Sequence, residues 1–154
     1  MNSLYLEDFQ PGQVFRSSGR TITEADLTIF SMVSGDWNPI HADVEYAKGT
    51  RHGQRLVHGV MVIAIAIGKL HELGIFEDSA IAMLDLKEWK FLAPVFVNDT
   101  LHLELSIVSV TPGKSGRSGS LERRFRMLNQ SGVVIQDGIS TLLVKTRAGA
   151  QAAS

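Results

Sequence analysis

A carboxylate and an imidazole stand five residues apart at Asp36 and His41, with Trp37, Asn38, Pro39 and Ile40 between them. On a regular helix that spacing turns the side chains about 140° apart, and on a strand it sends them to opposite faces. They converge only in irregular backbone. Pro39 supplies it, because it has no N–H to donate and pushes Asn38 toward an extended conformation. A short loop stiffened in this way holds both groups in place before a reactant arrives, which is where positioning contributes to rate. Carboxylates and imidazoles start from proton affinities near ~3.9 and ~6.5 that burial and hydrogen bonding can set apart, so the two can grip one water as base and acid. The same Gly-Asp-x-Asn-Pro run is also good turn chemistry, in which Asp36 or Asn38 caps backbone groups.

Other chemistries are less well served. Asp36, His41, His52 and His58 could offer nitrogen and oxygen ligands, but their spacing matches no standard metal site, and no metal is expected. There is no cysteine, so thiolate nucleophiles, thiolate metal sites and disulfides are excluded. Gly113-Lys114-Ser115 is not a phosphate-binding loop, since Val108 stands where that motif needs glycine. Fifteen basic and 16 acidic residues leave a net charge of -1, which gives no basic footprint for nucleic acid. His52, His71 and His102 read as ordinary surface or strand residues.

The elements that must position the pair can be read from periodicity. At 154 residues the chain is expected to be one domain, with residues 147–154 as a frayed tail. Thr23-Glu24-Ala25-Asp26 resembles a capping box with Asp in place of Glu, and the spacing predicts a helix over 23–34 that Gly35 ends. A brief helix around Asp43 to Ala47 and a basic loop lead to a second helix from His58-Gly59 to about Leu73. That helix is apolar nearly all round until Lys69, so protein must surround it, and a wrapped sheet would do so. Its apolar run, Val60 to Ile67, is too short to span a bilayer. Strands are predicted around 14–22, 81–91, 101–110, 121–128 and 133–144. Phase slips near Lys87-Glu88 and at Ile107-Val108 predict bulges. The N-terminus carries no secretion signal, so a cytoplasmic protein is expected.

Gly35-Asp36-Trp37-Asn38-Pro39-Ile40-His41, followed by Ala47 and by Val57-His58-Gly59, closely resembles the hydratase motif of the MaoC-like, (R)-specific enoyl-CoA hydratase family. The segment from Trp89 to Leu101 resembles the family's strand, turn and strand, and the likeness extends over roughly residues 8–145. The resemblance implies an α+β hot-dog domain, an antiparallel sheet around a long central helix, that pairs into homodimers or assemblies of dimers. It maps Asp36 and His41 onto the family's catalytic pair, which adds water to a trans-2-enoyl-CoA to give an (R)-3-hydroxyacyl-CoA, or runs in reverse. Coenzyme A then belongs to the substrate, and no further cofactor is expected. Hydration places negative charge on the thioester oxygen, which needs an N–H aimed at it. Gly59, at the start of the apolar helix, is the candidate donor, with helix entrance or tight packing as its other reading. His58 would brace backbone rather than react.

Asn38 is expected to orient Asp36 or the loop near the substrate. Arg51 and Arg55, with Lys114 and Arg117, are candidates for meeting the CoA phosphates. Two positions depart from the family pattern. Ala64 stands where many relatives carry serine, and Arg51-His52-Gly53 replaces a common Arg-Phe-Gly. Both point to an altered acyl pocket suited to a shorter or more polar acyl group. A hot-dog acyl-CoA thioesterase and a non-catalytic acyl-CoA binding module are the alternatives.

Overall fold

The computed structural model of the chain describes residues 3–152. Met1 and Asn2, and residues 153–154 of the expected tail, lie outside the described residues. Helix α1 (Glu24–Ser34) begins as its sequence requires: Thr23 Oγ1 accepts from the Asp26 N–H, and Asp26 Oδ2 accepts from the Thr23 N–H at 2.8 Å. Gly35, in the left-handed conformation at φ 74°, ends it. Losing this cap in Thr23→Ala should cost about 1 kcal/mol of unfolding free energy, read from the denaturation midpoint at unchanged slope.

Two one-turn helices follow, α2 (Pro39–Ala42) and α3 (Val44–Lys48), capped by the side chains of Asn38 and Asp43. The segment expected as a loop through His41 is therefore loop only to Asn38. Pro39 occupies the first turn of α2, where its missing N–H is no loss, and the turn carries His41. Helix α4 (Gly59–Leu73) spans the predicted range and ends at Gly74.

Among the described residues seven strands, two more than the sequence suggested, form an antiparallel sheet: β1 (Val14–Arg16), β2 (Arg20–Thr21), β3 (Ala80–Met83), β4 (Lys87–Phe91), β5 (Thr100–Pro112), β6 (Ser118–Leu128) and β7 (Val134–Lys145). Their order is β1-β5-β6-β7-β3, with β2 also on β5 and β4 also on β7. The expected single strand over 81–91 is broken in two where the Asp85 side chain, in place of backbone, accepts the Thr141 N–H at 2.8 Å. Glu88 then takes a positive φ where the β4 register slips. The slip predicted in β5 falls between Ile107 and Ser109. Residues 147–151, expected as frayed, form a short helix α5 (Arg147–Gln151) that Thr146 caps, with Arg147 paired to Asp8.

The inner faces of β5, β6 and β7 supply Leu101, Leu103, Leu105, Leu121, Phe125, Met127 and Ile135, all buried, and these meet Met61, Val62, Ile65 and Ala66 of α4 in one core. The chain's own sheet does not surround α4 completely. Val60, Ala64 and Gly68 form an open stripe, with Val60 62% exposed. The edge strands beside it leave Ile81, Met83, Leu84 and Phe91 exposed. No helix among the described residues is long and apolar enough to cross a membrane.

Candidate active site

The end of α1, the start of α2 and the start of α4 meet where Asp36, His41 and His58 come together. Gly35 turns the chain out of α1, and Asp36 Oδ1 accepts the Asn38 N–H at 3.2 Å. Asn38 Oδ1 in turn accepts the Ile40 N–H at 3.2 Å. Asn38 thus caps α2, the turn that carries His41.

An extended segment before α4 fixes the imidazole. Leu56 N–H donates to the Ile40 carbonyl at 3.0 Å, and the Leu56 carbonyl lies 2.8 Å from His41 Nδ1. A carbonyl only accepts, so Nδ1 carries the hydrogen and the neutral ring presents a bare Nε2. That nitrogen stands 3.8 Å from Asp36 Oδ2. The gap is too long for a good direct hydrogen bond and right for one water that donates a hydrogen to each of the two acceptors. Asp36 is half exposed while the His41 side chain is largely covered, so the pair faces solvent from one side.

His58 lies under this arrangement, 2% exposed, its ring stacked on His41 at 3.9 Å between centroids and flanked by Phe30. Its Nε2 sits 3.1 Å from the Asp36 carbonyl and 3.2 Å from Ser31 Oγ, so Nε2–H donates to the Asp36 backbone, the bracing role read from the sequence. Nδ1 is enclosed without a partner among the described residues. Burial, assisted by the neighbouring His41, lowers the His58 proton affinity below its ordinary value near 6.5, against the pull of the Asp36 carbonyl and carboxylate. The unfolded chain therefore takes up this proton first as pH falls. Stability from this source is complete above about pH 6.5 and declines as pH drops through the folded-state value. Melting temperatures taken between about pH 8 and pH 5 should show the decline, and His58→Gln, which keeps a donor but does not titrate there, should flatten it.

Ligand atoms of Asp36, His41 and His58 all lie within 4.8 Å of one another. His52, the fourth ligand weighed from sequence, is outside the cluster and accepts from Arg51 Nε at 3.1 Å. With His58 Nε2 committed to the Asp36 carbonyl and His41 Nδ1 to Leu56, the side-chain atoms left facing each other are Asp36 Oδ2 and His41 Nε2. That donor set suits a water.

Gly59 is the first residue of α4, and its N–H has no partner among the described residues. A Cβ there would stand 2.7 Å from the Phe91 ring, which is the tight packing named as the other reading of this glycine. The Gly59 carbonyl accepts from Gln136 Nε2 at 2.8 Å, and Gln136 Oε1 accepts from the Trp89 indole. This brace was missed from sequence, as was Ser31, a polar side chain on the buried stripe of α1. Arg51 borders a groove with Leu56 and Phe91, near the site. Arg55 is instead paired with Glu24, and Lys114 and Arg117 sit in the β5–β6 turn, at the far end of β5 from Phe96, which bridges to Leu56. Sequence spacing could not show which basic residues face the cleft. Ala64 lines an apolar groove of about 600 Å³ between α1 and α4, with Phe30 and Met61 at its near end.

Residues 8–124 match the family model described as the MaoC like domain. The chain belongs to the MaoC-like dehydratase family. The (R)-specific enoyl-CoA hydratase of Rhodospirillum rubrum is 29% identical over 144 residues, covering 93% of each protein. Protein MaoC of Klebsiella aerogenes is 34% identical over 102 residues, 66% of this chain, and the match spans 30% of that protein's length. The crystal structure of a MaoC-like dehydratase from Rhodospirillum rubrum superposes with a TM-score of 0.84 at 26% identity, covering 94% of this chain and 99% of that one. The wrapped helix of this MaoC-like chain is the hot-dog fold, and the family is one of hydratases and dehydratases.

Proposed function

We propose that the protein hydrates a trans-2-enoyl-CoA to an (R)-3-hydroxyacyl-CoA, or runs the reverse dehydration, with Asp36 and His41 holding the water. The observation that carries this reading is the 3.8 Å gap between Asp36 Oδ2 and a His41 Nε2 whose lone pair is exposed because Nδ1–H is bound to Leu56. The water donates one hydrogen to each. As its oxygen bonds to C3 of the enoyl group, one proton passes to His41 Nε2 and the π electrons move to the thioester oxygen, leaving an enolate. The Gly59 N–H, at the positive end of α4, stabilises that oxygen. His41 then returns the proton to C2 and the thioester carbonyl re-forms. Asp36 stays ionised and steadies the imidazolium in between. The balance closes on one water, so no cofactor beyond the CoA of the substrate enters.

The uncharged His58 beneath the ring adds no positive charge to oppose the imidazolium. Arg51, which borders a groove with Leu56 and Phe91, would meet a CoA phosphate. The open stripe of α4 and the apolar edge of β3 and β4 are covered by a second copy of the chain, and native mass spectrometry should therefore show a dimer or an assembly of dimers. A four-carbon trans-2-enoyl-CoA should lose its conjugated-thioester absorbance and gain the mass of one water without releasing CoA thiol. Thiol release without hydration would establish a thioesterase, and binding without turnover across short, long, branched and carboxylated enoyl-CoAs would establish a binding module.

A further inference from the structure

Alternation along β6 places Arg123 in phase with Leu121, Phe125 and Met127, so its side chain enters the space between sheet and helix and is 1% exposed. A guanidinium has five N–H donors. Among the described residues this one makes a single hydrogen bond, from Nη2 to Ser140 Oγ at 3.2 Å, while Nε is enclosed without a partner. Phe76 and Phe125, each with its ring centre 5.2 Å away, add cation–π attraction but cannot satisfy the N–H donors at the guanidinium edge. Among the described residues Arg123 forms no ion pair. Asp85, the acid that acts on it electrostatically, already accepts the Thr141 N–H and pairs with Lys87 at 3.6 Å. Burial lowers the Arg123 proton affinity to about 10, so it remains charged at neutral pH.

Arg123 lines a cavity of about 340 Å³ whose walls include Ile67, Leu70, Met83 and Leu142. That volume lies in the range of small-ligand sites. Glu77 also borders it, exposed and unpaired with Arg123. The cavity lies toward the opposite end of α4 from the catalytic pair: Leu70 is 11 residues beyond Gly59, roughly 16 Å along the axis.

We propose that this cavity binds a carboxylate carried on a short apolar body, with Arg123 as its counter-ion. A planar fork matches two carboxylate oxygens, the Ser140 hydroxyl is beside it, and the aliphatic wall suits the body. A phosphate, with more charge and more oxygens, would find one guanidinium, with the His71 imidazole as the other basic group on the wall and the Glu77 carboxylate opposing it. The carboxylate is either a free acid or the distal end of an acyl group, and two measurements separate these sources.

Calorimetric titration with hexanoate should show binding to the wild-type protein, at least about tenfold weaker binding to Arg123→Met and intermediate binding to Arg123→Lys. Hexanamide should bind all three alike, and each variant's melting curve would confirm that it folds. The second measurement alone rests on hydratase activity: kcat/KM for an enoyl-CoA ending in a carboxylate against one ending in methyl. A selective fall in Arg123→Met identifies the acyl end as the source, and hexanoate binding without such a fall identifies the free acid. The proposal is overturned if wild type and Arg123→Met respond alike to carboxylate in both measurements. It is equally overturned if neither binds it and Arg123→Met only changes the oligomeric state, which would make the counter-ion a carboxylate of a second copy.

Discussion

Asp36→Asn and His41→Gln should each lower the hydration rate by about 10²- to 10⁴-fold, the range for losing a positioned general base or acid. Neither change should unfold the protein. The Asp36 side chain is half exposed and its one backbone bond, from Asn38 N–H, can still be accepted by an amide oxygen. His41→Gln keeps a polar group near the Leu56 carbonyl but has no second nitrogen to turn toward Asp36. The two substitutions should also fail to add. Both groups act on one water, so the double variant should lose little more than the worse single variant, as residues that work as a unit do. Steady-state hydration kinetics on all four proteins would check this, and losses that multiply would mean that the groups act on separate steps.

His58→Leu is the second change with a large expected effect. It removes the donor from the Asp36 carbonyl and the ring nitrogen beside Ser31 Oγ, and it replaces the ring stacked under His41. A buried acceptor left without its partner costs about 1–3 kcal/mol, and that should appear in the denaturation midpoint. If the same interaction holds the pair in its reactive geometry, kcat should fall by about five- to a hundredfold with KM little changed. His58→Gln, which can still donate, should restore much of the rate. Recovery of stability without recovery of kcat would limit His58 to a structural role.

The parts of this site that the sequence made legible are those written in local chemistry. The cap at Thr23 and Asp26 and the stop at Gly35 act within a few residues, so the exit of the chain from α1 at Asp36 followed from them, whereas the helical turn from Pro39 that carries His41 did not. The extent of α4 and the slip at Ile107 were legible because they disturb a simple period. The rest depends on distant backbone. No pattern of residue types announces that the Leu56 carbonyl, 15 positions away, sets the His41 tautomer, or that Asp85 interrupts the edge strand by capturing Thr141. Arg55 looked available for phosphate because its partner Glu24 lies 31 residues away, at the start of α1. Arg123 is a different case. The alternation of β6 carried its inward direction, but a charge in an apolar phase gains meaning only when every wall of its cavity is known.

Hydration run in deuterium oxide, with the product's configuration read by NMR, tests most directly whether one cluster both takes and returns the proton. Since Asp36 and His41 act from one side of the bound chain, hydroxyl at C3 and deuterium at C2 should be delivered to the same face. Delivery to opposite faces, or release of free acid in place of a hydroxyacyl thioester, would contradict the shared water.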